Sequence, residues 1–160
     1  MLTPYQLLEI DNDSYEFVTD LGIRYKVYFL DYSYMFSDYS NISSPVYSFN
    51  IEAILGNPDN TPGDERVGIT VSEIVNLFFS KESNVAVYVC DTLDERQYAR
   101  KRKFDSWFFL YGNESLFKED CVAVVEDLEI FNSMILLKTH PEFKQLIIAY
   151  KELNERAPSK

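Results

Sequence analysis

Glycine, histidine and cysteine are all scarce in this sequence, and each shortage removes a class of chemistry. With 5 Gly there is little material for a loop that cradles phosphate, and neither a Walker loop nor a Gly-rich dinucleotide turn is present. The single histidine, His140, stands beside Pro141 and reads as a helix-start residue rather than as part of a Ser/His/Asp or Cys/His arrangement. The 2 cysteines, Cys90 and Cys121, lie far apart, each bordering an apolar run, and match no metal-ligand spacing. They are expected to be reduced, packed thiols. No apolar run approaches the ~20 residues that span a bilayer. The opening Met1-Leu2-Thr3-Pro4-Tyr5 has no basic segment followed by an apolar one, so no export signal and a cytoplasmic setting are expected.

Positive charge is the other shortage. The chain holds 15 Lys+Arg against 26 Asp+Glu, a net charge of -11. Such a field repels phosphate backbones and anionic bilayers, so nucleic acid and membrane are disfavoured as partners. It also permits a protein that mimics nucleic acid and blocks a basic partner. What the chain does have is an ordinary globular balance, 46% hydrophobic and 26% charged, with 16% aromatic residues, in 160 positions. That length suits one domain, residues 1–160, with a real core.

Patterning along the chain predicts an α+β protein. Thr3 as cap and Pro4 in the first turn predict a short opening helix through Leu7 and Leu8. Tyr15–Asp20 and Gly22–Leu30 read as a hairpin around an Asp20-Leu21-Gly22 turn. Its second arm alternates Ile23, Tyr25, Val27 and Phe29 with polar residues, the period of a half-buried strand. The Ser- and Tyr-rich stretch 31–45 reads as irregular, and Val46–Ile54 as a third strand. Gly56–Asp64 is dense in turn formers and reads as a surface loop. Its Asp59 and Asp64, with Glu65, fit no calcium loop. Thr70-Val71-Ser72-Glu73 fits a capping box, with Ile69 and Ile74 as its hydrophobic staple, so a helix is expected over about 71–80. Val85–Cys90 is unbroken apolar and predicts a strand covered on both faces. A helix from about Leu93 to Tyr111 should stop at Gly112-Asn113. Cys121–Glu126 and Ser133–Lys138 read as an antiparallel pair. Thr139 and Glu142 would then box the start of a last helix bearing Phe143, Leu146, Ile147, Tyr150 and Leu153. The order α-β-β-β-α-β-α-β-β-α gives a mainly antiparallel sheet of about six strands with three or four helices packed on it.

One segment stands out. Arg96, Arg100, Lys101, Arg102 and Lys103 place five of the 15 cations within eight positions. On a helix, Phe104, Trp107, Phe108 and Tyr111 form a buried stripe, which extended one turn back meets Arg100 and Gln97. Arg96 and Arg100 lie one turn apart, and Asp91 and Asp94 sit where the apolar strand ends. Two readings fit. Asp91, Asp94, Arg96 and Arg100 form an ion-pair network that pins a strand end to a helix. Alternatively Arg96, Arg100 and Arg102 hold an anion, with Asp91, Asp94, Gln97 and Trp107 beside it. A basic patch that docks an acidic partner or a second copy is a third use.

Several stretches together resemble a family of small uncharacterised bacterial domains of unknown function. They are Tyr15–Ile23, Arg66-Val67-Gly68-Ile69-Thr70-Val71, and Tyr88-Val89-Cys90-Asp91 through Asp94, Arg96, Gln97, Arg100, Phe104 and Trp107-Phe108. The resemblance spans roughly residues 15–110 and little of the C-terminal third. It implies a bacterial, cytoplasmic setting and supplies no activity, cofactor or catalytic residue. The expectation that follows is a soluble module binding a protein or small anion, with no cofactor and no metal. The competing expectation is an enzyme handling phosphate or nucleotide with Arg96 and Arg100, using Asp91 or Asp94 as base or metal ligand.

Overall fold

The computed structural model describes residues 2–11, 13–90 and 96–156. It shows an α+β architecture built on one seven-stranded sheet. The strands are β1 (Leu8–Asp11), β2 (Ser14–Val18), β3 (Arg24–Asp31), β4 (Val46–Leu55), β5 (Val85–Val89), β6 (Leu116–Val125) and β7 (Leu128–Leu137). Their order across the sheet is β1-β2-β3-β4-β5-β7-β6. Every neighbouring pair is antiparallel except β4 with β5. The helices are α1 (Glu65–Phe78), α2 (Gln97–Tyr111) and α3 (Phe143–Glu155). No helix among the described residues is long and apolar enough to cross a membrane.

Alternation along the strands sets the layers. Phe17, Val27, Phe29, Phe49, Ala86 and Ile135 point to one face, where α1 and α2 cover them. Val46, Val85, Val87, Met134 and Leu136 point to the other, under α3 and the 32–42 segment. Fully burying a side chain such as Phe17 or Met134 contributes about 1.5–3 kcal/mol. The double coverage expected for the Val85–Cys90 run holds for Val85–Val87 and lapses at Val89, which is exposed.

The expected hairpin of β2 and β3 is present. Gly22, at φ +85°, lets its N–H reach the Thr19 carbonyl at 3.0 Å. The opening helix is replaced by β1. Tyr5 explains why: its backbone N–H bonds Thr70 Oγ1 at 2.8 Å, its hydroxyl donates to Asp64, and its ring stacks on Phe17. These contacts draw the first residues across the start of α1 and leave Leu8–Asp11 to pair with β2.

Two helix starts also differ from expectation. Helix α1 begins at Glu65, with Asp64 as cap, its carboxylate accepting from the Arg66 N–H at 2.9 Å. Thr70 therefore lies inside the helix, fully buried, its hydroxyl donating to the Arg66 carbonyl at 2.6 Å. At α3, Thr139 is exposed and Glu142 takes the cap position. The buried His140 ring sets this start. Its Nδ1 accepts from the Glu142 N–H at 2.9 Å, so the proton sits on Nε2, which donates to the Ser83 carbonyl at 3.0 Å. The expected apolar face of α3 is present, with Leu146 and Tyr150 fully buried.

Candidate functional site

Helix α2 carries the cationic segment, and its sheet-facing side is the aromatic stripe read from the sequence. Phe104 is buried, stacked on Tyr88 at a centroid distance of 4.1 Å, while Trp107, Phe108 and Tyr111 are half-buried beside it. The helix ends at Tyr111, and the N–H of Gly112 closes it onto the Phe108 carbonyl at 2.9 Å.

Asp91 and Asp94 lie outside the described residues, as does the first part of the expected helix. The other residues of the expected cluster take different places on α2. Arg96, at the cap position, pairs with Asp59 at 2.6 Å and so ties α2 to the 56–64 loop. Arg100 is half-buried one turn on, and its positive charge acts on Tyr88 and Cys90. Both arginines are engaged. Gln97 is 8% exposed, and its Oε1 has no partner among the described residues. Arg102 is exposed. Trp107 packs against Gly68 of α1, with the Lys103 ammonium 5.9 Å from its ring centroid.

Beside this cluster lies an ionic network. Lys118 on β6 is 8% exposed in its side chain, and its ammonium sits 2.7 Å from Asp105 of α2 and also pairs with Asp120. Asp105 further pairs with Lys101 at 2.6 Å, and the Ser133 hydroxyl donates to Asp120 at 2.6 Å. Burial pushes the Asp105 carboxyl up, but hydrogen bonds from Lys101 and Lys118 outweigh that and hold it below the usual carboxylate range. Lys101 to Asp105 is an i,i+4 pair visible in the sequence. Lys118 and Asp120 join it only because β6 and β7 form a longer hairpin than patterning suggests.

The nucleophile and acid–base candidates here are held protonated. Burial pushes the Cys90 thiol up to about 11, with Asp105 adding to the shift. Burial also raises the Tyr88 hydroxyl, with Cys90 adding to the shift. His140 spends one ring nitrogen on the Glu142 N–H at the start of α3 and the other on the Ser83 carbonyl. Among the described residues no group of three or more His, Cys, Asp or Glu is placed to hold a metal ion.

Two hollows lie nearby. One, about 30 Å³, sits between α1 and α2 against Val71, Val75, Trp107 and Ile135, and has room for about one water molecule. The other, about 300 Å³ and open to solvent, lies at the start of α1 beside Tyr5, Asp20, Asp64 and Arg66. There Arg66 stacks on the Tyr5 ring at 3.8 Å and pairs with Asp20 at 3.2 Å.

No curated protein and no solved structure matches the chain. A family model does match, described as a family of unknown function, DUF6169, over residues 63–152. The match includes α1 with its Arg66–Val71 stretch and the Tyr88–Phe108 segment. It leaves out Tyr15–Ile23 and, against the expectation that the likeness ends near residue 110, takes in β6, β7 and most of α3. With more than half of its length inside that match, the chain belongs to the family of unknown function DUF6169.

Proposed function

We propose that this chain is a soluble, non-enzymatic binding module whose α2 contacts an anionic group on another molecule. The observation that carries the reading is the concentration of five cations on residues 96–103 of a chain with net charge -11. Arg suits carboxylate and phosphate because its planar fork donates two parallel hydrogen bonds. The protonated Cys90 and Tyr88 and the structural role of His140 favour binding over nucleophilic or general-base chemistry. The buried Gln97 Oε1, without a partner among the described residues, adds a polar group at the same end of the helix. An enzyme reading would place Arg96 and Arg100 on phosphate with Asp91 or Asp94 as base, and its catalytic carboxylates lie outside the described residues.

Thermal shift with inorganic phosphate, a nucleoside triphosphate and oligoglutamate tests the reading. Anion binding predicts a melting temperature that rises with anion concentration, and Arg96→Ala or Arg100→Ala should remove that rise while the fold persists. A collapse of the melting temperature in both variants without any anion response in the parent would instead make the arginines purely structural.

A further inference from the structure

Around α2 the residues sort onto two sides. At about 100° per residue, Gln97, Arg100, Phe104, Trp107, Phe108 and Tyr111 share the side that meets the sheet and α1. The opposite arc carries Tyr98, Arg102, Lys103, Ser106, Phe109 and Leu110, all exposed. Phe109 keeps 86% of its surface in water and Leu110 keeps 59%. A single exposed apolar residue is ordinary. Two adjacent ones, at the apolar end of a helix whose other end is cationic, form a two-part surface.

Its charge is locally positive. Among the described residues Arg102 and Lys103 make no ion pair. Among the described residues the nearby acids are already spent: Asp59 on Arg96, Asp105 on Lys101 and Lys118, and Glu129 on the Tyr98 hydroxyl at 2.8 Å.

We infer that this outward face of α2 is the docking surface for a protein segment that is acidic and carries apolar anchors. The inference rests on the anion-binding reading above and names the partner. Arg102 and Phe109 stand seven residues apart, so cation and anchor are about 10 Å apart along the helix axis. A small anion would use the cations and leave Phe109 and Leu110 in water. A long nucleic acid or an extended anionic bilayer meets the field of the whole chain, net charge -11, whereas a short peptide on this face is screened from the distant acids. An acidic amphipathic peptide satisfies both halves, through charge complementarity at one end and burial of two apolar side chains at the other.

The test uses the full chain and three probes: a synthetic amphipathic helix with Glu on one side and Leu and Phe on the other, oligoglutamate, and phosphatidylserine vesicles. Titration calorimetry and the fluorescence of the only tryptophan, Trp107, read binding. The amphipathic peptide should bind more tightly than oligoglutamate. Phe109→Ser should weaken the peptide at least about tenfold and leave oligoglutamate unchanged. Arg102→Glu should weaken both and flatten the salt dependence. Because both positions are exposed, each variant should keep the parent melting temperature.

Equal peptide affinity in the parent and Phe109→Ser would overturn the docking face; oligoglutamate binding that still needs Arg96 and Arg100 would leave the anion reading standing. Vesicle binding lost in Phe109→Ser, without peptide binding, would give the face to a membrane. A dimer abolished by Phe109→Ser, without peptide binding, would give it to a second copy. Either result defeats the inference, as does no binding to any probe; the anion reading falls with it if phosphate and nucleoside triphosphate also leave the melting temperature unchanged.

Discussion

The indole of Trp107 fills the space that a side chain at position 68 would need: a Cβ built on Gly68 would lie 2.5 Å from Nε1. Helices α1 and α2 meet where one contributes no side chain and the other contributes its largest. Both residues lie inside the family match, and their packing gives each a structural reason to be there. Gly68→Ala would gain up to about 1 kcal/mol of helix propensity, but overpacking against the indole costs about 1–3 kcal/mol. A net loss of stability is expected in urea unfolding. In a Trp107→Ala background the same substitution should become neutral or stabilising, a non-additivity that a double-mutant cycle measures. A stabilised Gly68→Ala in the parent would mean that the helices do not depend on this approach.

How far the fold is legible depends on whether a local signal meets a competing long-range one. The β2–β3 hairpin is legible because alternation and Gly22 agree with its final environment. Thr70 misleads because its capping-box spelling is real, while Asp64 caps the helix six residues earlier and turns the Thr70 hydroxyl inward. Thr3-Pro4 misleads because Tyr5 finds better contacts on Thr70, Asp64 and Phe17 than a helix would offer. At the candidate site, the stripe from Phe104 to Tyr111 follows from period alone, but the partner of Arg96 does not. Asp59 reaches it from a loop whose position depends on the whole sheet.

The turn between β6 and β7 shows the opposite failure, a real hairpin without a turn signal. Glu126 and Asp127 take φ +49° and +67°, the left-handed region, while Val125 pairs with Leu128. A two-residue turn with both angles positive favours Asn-Gly; Asp tolerates the left-handed region better than most residues, whereas Glu settles there only with strain. The sequence therefore reads as two short strands separated by a loop instead of two strands of ten residues. Replacing Glu126-Asp127 with Asn-Gly relieves left-handed strain, about 1–2 kcal/mol at an ordinary residue such as Glu126. It is offset in part by about 0.5–1 kcal/mol for the added freedom of Gly in the unfolded chain, so a net gain is expected, seen as a higher midpoint with an unchanged urea slope. A lowered midpoint would mean that the two acidic side chains themselves hold the turn.

Lys118 and Lys101 share Asp105 but should not matter equally. Lys118 is nearly buried and also serves Asp120, whereas Lys101 is about a third exposed. Lys118→Ala removes the ammonium that both carboxylates share; because Asp105 keeps Lys101 and both acids are a third to a half exposed, the loss should be about 1–3 kcal/mol. Lys101→Ala should cost less than about 1 kcal/mol. Chemical unfolding of the two variants separates them. If both cost the same small amount, the Lys118 ammonium is better solvated than its position suggests.

Glu142 gives the fold an acid-sensitive strap. Its carboxylate accepts from both the backbone N–H and the hydroxyl of Ser43 and Ser44, which fixes the 32–45 segment over α3. The Ser44 hydroxyl contributes most and burial opposes it, while the Ser43 N–H and hydroxyl and the Ser44 N–H add the rest; together they hold the carboxyl below its ordinary 4.5. A lowered folded pKa stabilises the native state in full above the ordinary value. That stabilisation is lost as pH falls through the lowered one. Glu142→Gln keeps the size and removes the charge, so with the screening of a partly exposed carboxylate it should cost about 0.5–1 kcal/mol at neutral pH, roughly 1–4 °C in melting temperature. The gap between parent and variant should stay constant from pH 7 to about 5 and close at lower pH, as the parent carboxylate takes up its proton. Melting curves across that range decide it. A gap that persists at pH 3 would show that the strap depends on the shape of this side chain rather than on its charge.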